Sequence, residues 1–412
     1  MVLLGSTGSI GKQTLKLAHR FGIEVEGLVA GNRWQLLAKQ IEQFSPRLVA
    51  VQSELIADLL KRELKRRKVE IPEIFWGEEG ILELLTRSHS QKVLNGLVGE
   101  VGVKPTLKGV KLGKTIGLAN KESLVVAGKF IDTTNLFPID SEHFGVWELV
   151  KGRASDEVTQ IIITASGGAI RNIPVERLSR LSTKEVLNHP NWQMGAKITV
   201  DSSTMVNKLF EVLEAYWLFK IEEIDGIIEP SSRLHSLIRL ANGGILAHLS
   251  TPDMGLPIAN FLLKMPPIES VEEKEKKEGM EKNGIKRENN RKRELKGVKR
   301  EKRFLKKTDR IISPLQLIGL ELRLLPIDLG RYPLWQLRSI ILKKPDLGVV
   351  INSLNDQLVK LFLEGKITFP TIGKTILKGI EKFEWVTLNK VEDIWEVRTL
   401  VVEWLKGELK HS

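Results

Sequence analysis

The chain opens with a short apolar run that leads directly into a glycine-rich turn, Val2-Leu3-Leu4-Gly5-Ser6-Thr7-Gly8-Ser9-Ile10-Gly11. Residues 12–20 follow and predict a helix. The glycines permit a tight turn and a close backbone approach to a pyrophosphate, and the start of the helix offers unpaired N–H groups to its charge. The stretch therefore predicts a nucleotide site, with a plain glycine-rich turn as the alternative.

Working outward, short β-rich runs alternate with helical stretches through the first 139 residues. The predicted strands are 2–4, 24–30, 48–52, 93–98, 115–119 and 136–139, and the predicted helices are 35–44 and 54–67. Such alternation is typical of a doubly wound parallel sheet. We therefore expect an α/β protein whose residues 1–139 form a Rossmann-like nucleotide domain.

The pattern changes after residue 139. Apolar runs at 161–163, 198–200 and 244–247 predict strands of a second sheet, and residues 208–220 predict a helix. We expect a central α+β catalytic domain over 140–268, which also forms the dimer contact. Residues 313–412 are mostly helical in pattern and predict a C-terminal helical domain.

Charge is concentrated between the central and the C-terminal parts. Residues 270–310 contain 17 Lys or Arg and 9 Asp or Glu, and thus carry most of the net charge of +12. A lopsided polar stretch predicts a charged, disordered insert or linker, here 269–312. The alternative is a basic arm for RNA or an anionic membrane, but the stretch has one aromatic residue, Phe304, for stacking on bases. We expect no specific nucleic-acid partner.

Composition excludes other classes of site. The chain has no Cys, so disulfides and thiolate metal sites are excluded. No apolar run approaches the roughly 20 residues that cross a bilayer. We therefore expect a cytoplasmic protein without a membrane partner.

The residues after the second predicted strand bear on the choice of cofactor. NAD enzymes usually place a carboxylate there for the ribose 2′-hydroxyl, whereas a 2′-phosphate favours a cation. The chain has Gly31-Asn32-Arg33, with no carboxylate and one Arg. This favours NADP over NAD, and the alternative is that Arg33 is an ordinary solvated side chain.

Two stretches carry candidate metal ligands. Asp140-Ser141-Glu142 follows an apolar run, and its carboxylates suit Mg²⁺ or Mn²⁺ if the chain bends there. Asn207, Lys208 and Glu211 share one face of a predicted helix, so Glu211 could complete a site of three oxygens. The alternatives are two solvated carboxylates and a surface ion pair.

Three loops are candidates for contact with a substrate. Residues 164–168 and 200–204 combine small hydroxyl side chains with flexible backbone, which suits oxyanions, although each could be a simple turn. Residues 189–195 expose Trp192 and Met194 between Pro190 and Gly195. This pattern predicts a lid that closes over a substrate and excludes water.

Taken together, these stretches resemble the 1-deoxy-D-xylulose 5-phosphate reductoisomerase family, from residue 2 to about 265 and again at 331–334 and 352–355. The motifs, in order, are Gly5-Ser6-Thr7-Gly8-Ser9-Ile10-Gly11, Ala119-Asn120-Lys121-Glu122-Ser123, Asp140-Ser141-Glu142-His143, Ser166-Gly167-Gly168, His189-Pro190-Asn191-Trp192 with Met194-Gly195, and Val200-Asp201-Ser202 with Asn207-Lys208 and Glu211.

The resemblance implies a homodimeric enzyme that uses NADPH with Mg²⁺, Mn²⁺ or Co²⁺ to rearrange and reduce a small phosphorylated sugar. The implied metal ligands are Asp140, Glu142 and Glu211. The implied substrate residues are Ser141, Glu142, Ser166, His189, Ser202, Asn207, Lys208 and Glu211, and the implied catalytic residues are Lys121, Ser141, Glu142, His189 and Trp192. The implied NADPH contacts are Thr7, Gly8, Ser9, Ile10, Gly31, Asn32, Arg33, Asn120, Glu122 and Gly195.

The sequence also departs from the family pattern. Glu229-Pro230-Ser231-Ser232 stands where the family usually has His-Pro-Gln-Ser, and Arg233 replaces an apolar residue. The other departures are Arg33 for Asn, Leu209 for Gly and Gly255 for Arg. Two alternative functions remain: another NADP-dependent dehydrogenase of a phosphorylated substrate, and an inactive homologue that acts as a binding protein.

Overall fold

A computed structural model of the chain describes residues 1–263 and 314–410. Its first part is a seven-stranded parallel sheet in the order β4-β3-β2-β1-β5-β6-β7. The strands are β1 (Val2–Leu4), β2 (Gly27–Val29), β3 (Leu48–Val51), β4 (Glu73–Trp76), β5 (Lys92–Asn95), β6 (Thr115–Leu118) and β7 (Leu136–Pro138). The order reverses between β1 and β5, which is where such sheets bind ligands. The predicted Rossmann-like fold is confirmed.

Six helices connect these strands: α1 (Ser9–Phe21), α2 (Trp34–Phe44), α3 (Glu54–Arg67), α4 (Gly77–Arg87), α5 (Val103–Lys111) and α6 (Glu122–Ala127). Helix capping and the spacing of apolar residues explain the helices that the sequence predicted. In α3, Ser53 caps the first turn and Ala57, Leu60 and Leu64 are buried at helical spacing. The sequence pattern missed β4, which is a half-exposed edge strand that mixes Glu73 with apolar residues.

A second, four-stranded sheet has the order β11-β10-β8-β9. Its strands are β8 (Val158–Ala165), β9 (Ile224–Ile228), β10 (Leu234–Leu240) and β11 (Ile245–Leu249). Only β8 and β9 are parallel to each other. The predicted strand at 161–163 is confirmed and extends to the whole of β8, and the predicted strand at 244–247 is confirmed from Ile245 onward.

Nine helices belong to the remainder of the described chain: α7 (Ser141–Val150), α8 (Thr183–Val186), α9 (Ala196–Thr204), α10 (Val206–Phe219), α11 (Gly255–Leu263), α12 (Arg338–Lys343), α13 (Gly348–Leu363), α14 (Phe369–Lys382) and α15 (Asp393–Glu408). The predicted C-terminal helices are therefore confirmed. Helix α13 packs against α14, α15 and α6, so it connects the C-terminal helices to the first sheet.

Two predictions from local pattern are wrong, and α9 accounts for both. The β-branched run at 198–200 predicted a strand, and residues 200–204 predicted a loop. Both lie in α9, because tertiary contacts outweigh the weak strand propensity of three residues. Val200 is buried, and Asp201 Oδ1 accepts a 2.8 Å hydrogen bond from Asn355 of α13.

The predicted charged, disordered insert at 269–312 lies outside the residues that the structure describes. Across 1–263 and 314–410, none of the helices combines the length and apolar character that a membrane crossing requires.

Candidate active site

One pocket of about 860 Å³ lies at the carboxyl edge of the first sheet and extends to the second sheet. The glycine-rich turn, the loop before α6, the start of α7, the loop after β8, residues 189–195 and the start of α10 all contribute to it. Most of the predicted site residues line this pocket: Thr7, Gly8, Ser9, Ile10, Arg33, Lys121, Glu122, Asp140, Ser141, Glu142, Ser166, His189, Trp192, Gly195, Ser202, Asn207, Lys208 and Glu211. The remaining three, Gly31, Asn32 and Asn120, are outside its lining.

The glycine-rich turn has the geometry of a phosphate cradle. Gly5 has φ 84°, and a Cβ there would lie 2.5 Å from the carbonyl oxygen of Gly96. A Cβ at Gly11 would lie 2.3 Å from the carbonyl oxygen of Gly5. The turn therefore requires both glycines. Helix α1 then begins at Ser9 without a side-chain cap, which leaves its first N–H groups available to an anion.

Arg33 lies beside this turn. It is the residue before α2, and its Nη1 donates a 3.2 Å hydrogen bond to the carbonyl oxygen of Thr7. Gly31 and Asn32 are exposed in the same connection. An exposed guanidinium held at the edge of the phosphate cradle suits a 2′-phosphate, so the prediction of an NADP contact keeps a geometric basis.

The three predicted metal ligands converge. Asp140, Glu142 and Glu211 each offer a carboxylate oxygen, and these oxygens lie within 4.8 Å of one another. Asp140 caps α7 and accepts a 3.3 Å hydrogen bond from the backbone N–H of Glu142. The expectation that these two carboxylates stand on a bent strand end is wrong, because the chain enters a helix at Ser141. Three converging carboxylates are a donor set that fits a hard divalent cation.

Two buried lysines balance these carboxylates. Lys121 Nζ donates to Asp140 Oδ2 at 2.7 Å, to Glu211 Oε1 at 2.9 Å and to Asn207 Oδ1 at 2.9 Å. Lys208 Nζ donates to Glu211 Oε2 and lies 3.6 Å from Glu142 Oε1. The prediction that Asn207, Lys208 and Glu211 share one face of a helix is thus correct. The Lys208–Glu211 ion pair is buried, not on the surface.

The buried charged groups shift one another's pKa values. Burial lowers the pKa of Lys121, but Asp140 and Glu211 outweigh it and hold that pKa well above its usual range. Burial raises the pKa of Asp140, but Lys121 and His143, with a hydrogen bond from Glu142, together outweigh it and hold that pKa well below its usual range. Burial, with the neighbouring Glu211 and Asp140, raises the pKa of Glu142 to about 8 against the opposing effect of Lys208. At neutral pH the cluster therefore holds the Lys121–Asp140 ion pair beside a Glu142 carboxyl that burial keeps largely protonated.

A second group behind the carboxylates was not predicted from the sequence. His143 and Glu214 are fully buried, and His143 Nδ1 lies 3.5 Å from Asp140 Oδ1 and 3.4 Å from Glu214 Oε2. His143 Nε2 lies 2.8 Å from the carbonyl oxygen of Glu211. The imidazole therefore holds α7 and α10 together at the two ends of the carboxylate cluster. The i, i+3 spacing of Glu211 and Glu214 was the available signal.

Ser166 and His189 form the second polar centre of the pocket. Ser166 Oγ lies 2.9 Å from His189 Nε2. The backbone N–H groups of Asn191 and Trp192 donate to His189 Nδ1 at 3.1 and 2.9 Å, which places the imidazole proton on Nε2. Burial and then the charge of Arg171 lower the pKa of His189 to about 4. At neutral pH the ring is therefore an uncharged donor.

The remaining predicted residues differ in their accessibility. Ser202 reaches the pocket from α9, where its Oγ donates to the carbonyl oxygen of Thr199 at 2.7 Å. Asn120 is fully buried and shapes the neighbouring loop by donating to the carbonyl oxygens of Leu97 and Gly99. It also donates to Glu122 at 2.9 Å. The structure thus places Asn120 behind the lining, where it supports Glu122.

Lys197 is a site residue that the sequence reasoning missed. Its Nζ lies 2.8 Å from Asp201, 3.2 Å from Asp356 and 3.8 Å from Glu122, which belong to α9, α13 and α6. Burial opposes its charge, but the three carboxylates hold the pKa of Lys197 well above its usual value. Only Asp201, four residues further along α9, is a local partner; Glu122 and Asp356 come from distant parts of the chain, so the sequence around Lys197 does not indicate the cluster.

A Rossmann-like sheet, a phosphate cradle and a carboxylate cluster in one pocket define a nucleotide-dependent metalloenzyme. A family model of 1-deoxy-D-xylulose 5-phosphate reductoisomerase matches residues 1–128, and two models of C-terminal domains of that enzyme match residues 136–219 and 302–403. The chain belongs to the 1-deoxy-D-xylulose 5-phosphate reductoisomerase family.

Individual members of this family are similar to the chain over its full length. The reductoisomerase of Nautilia profundicola is 43% identical, with 99% of each chain covered, and that of Campylobacter hominis is 41% identical, with 100% of each chain covered. A crystal structure of DOX-P reductoisomerase in complex with NADPH, fosmidomycin and magnesium has a TM-score of 0.80 at 27% identity and covers 98% of both chains. The Zymomonas mobilis enzyme in complex with NADPH has a TM-score of 0.77 at 27% identity, covering 97% of this chain and 96% of that one. These matches support the reductoisomerase rather than the two alternative functions.

Proposed function

We propose that this chain converts 1-deoxy-D-xylulose 5-phosphate into 2-C-methyl-D-erythritol 4-phosphate, with NADPH and a divalent cation, in the non-mevalonate isoprenoid pathway. The observation that carries the proposal is the convergence of Asp140, Glu142 and Glu211 in the same pocket as the glycine-rich turn. A dehydrogenase without a metal would not need three carboxylates there, since burying them together is costly.

Asp140, Glu142 and Glu211 are the residues that would hold Mg²⁺, Mn²⁺ or Co²⁺. When bound, a divalent cation polarises a carbonyl oxygen and a neighbouring hydroxyl of the substrate, which favours rearrangement of the carbon skeleton. His143 keeps two of the ligands in place through its contacts with Asp140 and the backbone of Glu211.

The glycine-rich turn and the start of α1, including Thr7, Gly8, Ser9 and Ile10, would bind the pyrophosphate of NADPH. The Cβ positions excluded at Gly5 and Gly11 support this, because the backbone must be open at that point. Arg33 would bind the 2′-phosphate, and Glu122 and Gly195 would border the cofactor further into the pocket. When bound, NADPH supplies the reducing hydride.

Substrate binding would use the other polar groups. Ser166 and Ser202 offer hydroxyls, and the neutral His189 offers an Nε2–H donor, to the substrate phosphate. Lys121 lies among the carboxylates, and its three N–H donors go to Asp140, Glu211 and Asn207, so it would have to exchange one of these partners to orient a hydroxyl of the sugar. Lys208 and Asn207 contact Glu211 in this structure, so the substrate contacts that the resemblance implies for them require a change of partner. Trp192 would help to exclude water.

A single coupled assay tests the proposed activity. NADPH oxidation is followed with 1-deoxy-D-xylulose 5-phosphate, with and without Mg²⁺, and the product is identified by mass spectrometry and NMR. We expect oxidation that stops when the metal is chelated and a product with a rearranged carbon skeleton. Oxidation that persists without a divalent cation, or a product with the original skeleton, would show an ordinary dehydrogenase instead.

We also propose that two copies associate through the second sheet and that the enzyme acts in the cytoplasm. Strand β11 is an edge of that sheet, and Ile245 on it is 52% exposed, which favours a covering partner. The absence of Cys suits a reducing compartment. Light scattering should give twice the chain mass, and fractionation should recover the enzyme with the cytoplasmic proteins. A monomer that stays monomeric at micromolar concentration would contradict the first part.

A further inference from the structure

The turn that follows β9, residues 229–233, is organised around a buried carboxylate. Glu229 is 1% exposed. Its Oε1 accepts from the backbone N–H and the hydroxyl of Ser231 at 2.8 and 2.7 Å, and its Oε2 accepts from the N–H groups of Arg233 and Leu234 at 2.8 and 3.2 Å. Ser232 has φ 54°, a conformation that disfavours residues other than glycine. Four donors on one carboxylate therefore hold a strained turn closed.

This turn contacts the loop at 189–195, which forms one wall of the pocket. Asn191 Nδ2 donates to the carbonyl oxygen of Pro230 at 2.7 Å and to Ser232 Oγ at 2.8 Å. Asn191 lies between His189 and Trp192, and its own N–H donates to the imidazole of His189. The position of the turn therefore decides where His189 and Trp192 lie.

A second contact connects the same turn to the loop after β8. The guanidinium nitrogen Nη1 of Arg171 donates both to the carbonyl oxygen of Pro230, at 3.0 Å, and to the carbonyl oxygen of Ser166. The turn thus holds both members of the Ser166–His189 pair, one through Arg171 and the other through Asn191. Since each contact goes to the carbonyl oxygen of Pro230, a shift of that peptide would move both.

We propose that Glu229 is a positioning residue for the Ser166–His189 pair: its carboxylate fixes the turn, and the turn sets the two donors at the separation that receives the substrate phosphate. This rests on the proposed function. The family pattern that the sequence resembles has a histidine at this position. Burial opposes the charge of Glu229, but the donors from Ser231 and the backbone lower its pKa below the usual value, so it is ionised at neutral pH.

The variant Glu229→Gln tests the positioning role. Its amide N–H₂ would face the N–H groups of Arg233 and Leu234, so at least two hydrogen bonds are lost while the size of the side chain is kept. We expect the KM for the sugar phosphate to rise by about tenfold, as for the loss of two such bonds, with the KM for NADPH within about twofold of wild type. The matched control Glu222→Gln removes the same charge from an exposed position just before β9 and should change neither value. A fall in kcat with an unchanged KM for the sugar phosphate would overturn the proposal.

A readout without turnover separates this inference from the proposed function. The N–H groups of Asn191 and Trp192, which donate to His189, should exchange with deuterium about tenfold faster in Glu229→Gln than in wild type or Glu222→Gln. Unchanged exchange would overturn the positioning role even in an active enzyme, whereas faster exchange in a chain without reductoisomerase activity would leave the role standing and refute the function.

Asn191→Ala provides a second route if Glu229→Gln does not fold. It removes both contacts to the turn from a half-exposed loop and should raise the same KM by a similar factor. In the double variant Glu229→Gln/Asn191→Ala, the rise in KM should be smaller than the product of the two single rises. Both substitutions break the same connection between the turn and the loop at 189–195. An unchanged KM in Asn191→Ala, or fully multiplicative effects, would overturn the proposal.

Discussion

The Nζ atom of Lys121 donates a 2.7 Å hydrogen bond to Asp140, which lies 19 residues further along the chain and is 15% exposed. Lys121 comes from the loop before α6, and Asp140 caps the start of α7. The pair therefore joins the ends of two neighbouring strands, β6 and β7, at the edge where the nucleotide turn also lies. The same amine also reaches Glu211 on α10, so one cation connects the nucleotide sheet to the carboxylate cluster.

Removal of this amine should destabilise the protein when no metal is present. Lys121→Ala removes the buried cation that Asp140 and Glu211 share and leaves Glu211 with Lys208 alone. Removal of one partner of a buried ion pair typically costs about 3–5 kcal/mol. We expect urea denaturation of the variant to show a loss of this size, and saturating Mg²⁺ to recover more stability in the variant than in wild type. Equal effects of Mg²⁺ on the two proteins would contradict a shared position for the amine and the cation.

Glu211→Gln tests the metal site. Loss of one of three carboxylate ligands should lower kcat/KM at low Mg²⁺ by about 100-fold, a value within the range for perturbed metal sites. The affinity for NADPH, followed by its fluorescence, should stay near that of wild type because the glycine-rich turn is unaltered. Glu223→Gln serves as a control, since it makes the same change at an exposed position. Full turnover of Glu211→Gln at low Mg²⁺ would refute the assignment.

Arg33→Asp tests the cofactor preference. A carboxylate at the edge of the phosphate cradle would repel a 2′-phosphate but accept a hydrogen bond from a 2′-hydroxyl. The ratio of kcat/KM for NADPH to that for NADH should therefore fall by about tenfold or more, as expected for the loss of one charge-assisted contact. Lys39→Asp, an exposed change of the same charge on α2, should leave the ratio unaltered. An unchanged ratio in Arg33→Asp would mean that Arg33 is only a solvated side chain.

Glu26 should make the stability of the first sheet dependent on pH. Burial opposes its charge, but donors from Ser90, Arg47, Ser88 and His89 hold the pKa of Glu26 well below its usual value. A depressed pKa contributes stability that is complete above the unfolded value, about 4.5, and is lost as the pH falls through the folded value.

Glu26→Gln should therefore lose about 2 kcal/mol at pH 7, as for hydrogen bonds to a charged group, and less at pH 3. Urea denaturation of both proteins at the two pH values measures this difference. Glu24→Gln, an exposed carboxylate two residues earlier, should show no such pH dependence. A difference between wild type and Glu26→Gln that is as large at pH 3 as at pH 7 would refute the ionic origin.

Local chemistry was sufficient to predict several features from the sequence. The turn at Gly5 is recognisable because a positive φ and a close backbone approach both require glycine. The shared face of Asn207 and Glu211 follows from 3.6 residues per turn, which holds wherever the helix packs. The alternation of strands and helices likewise predicts a parallel sheet, because crossover helices must cover its faces.

Other features depend on contacts between distant residues. The run at 198–200 becomes helical because α9 packs against α13, and Asp140 becomes a helix cap rather than a strand end. The sequence of residues 229–233 showed only a departure from a family pattern. Its connection to Asn191 and Arg171 exists because β9 ends beside those loops. Local propensities for helix or strand amount to about tenths of a kcal/mol per residue, whereas burial and buried hydrogen bonds each contribute about 1 kcal/mol or more. Tertiary packing therefore determines the structure wherever local propensity and tertiary contacts favour different conformations.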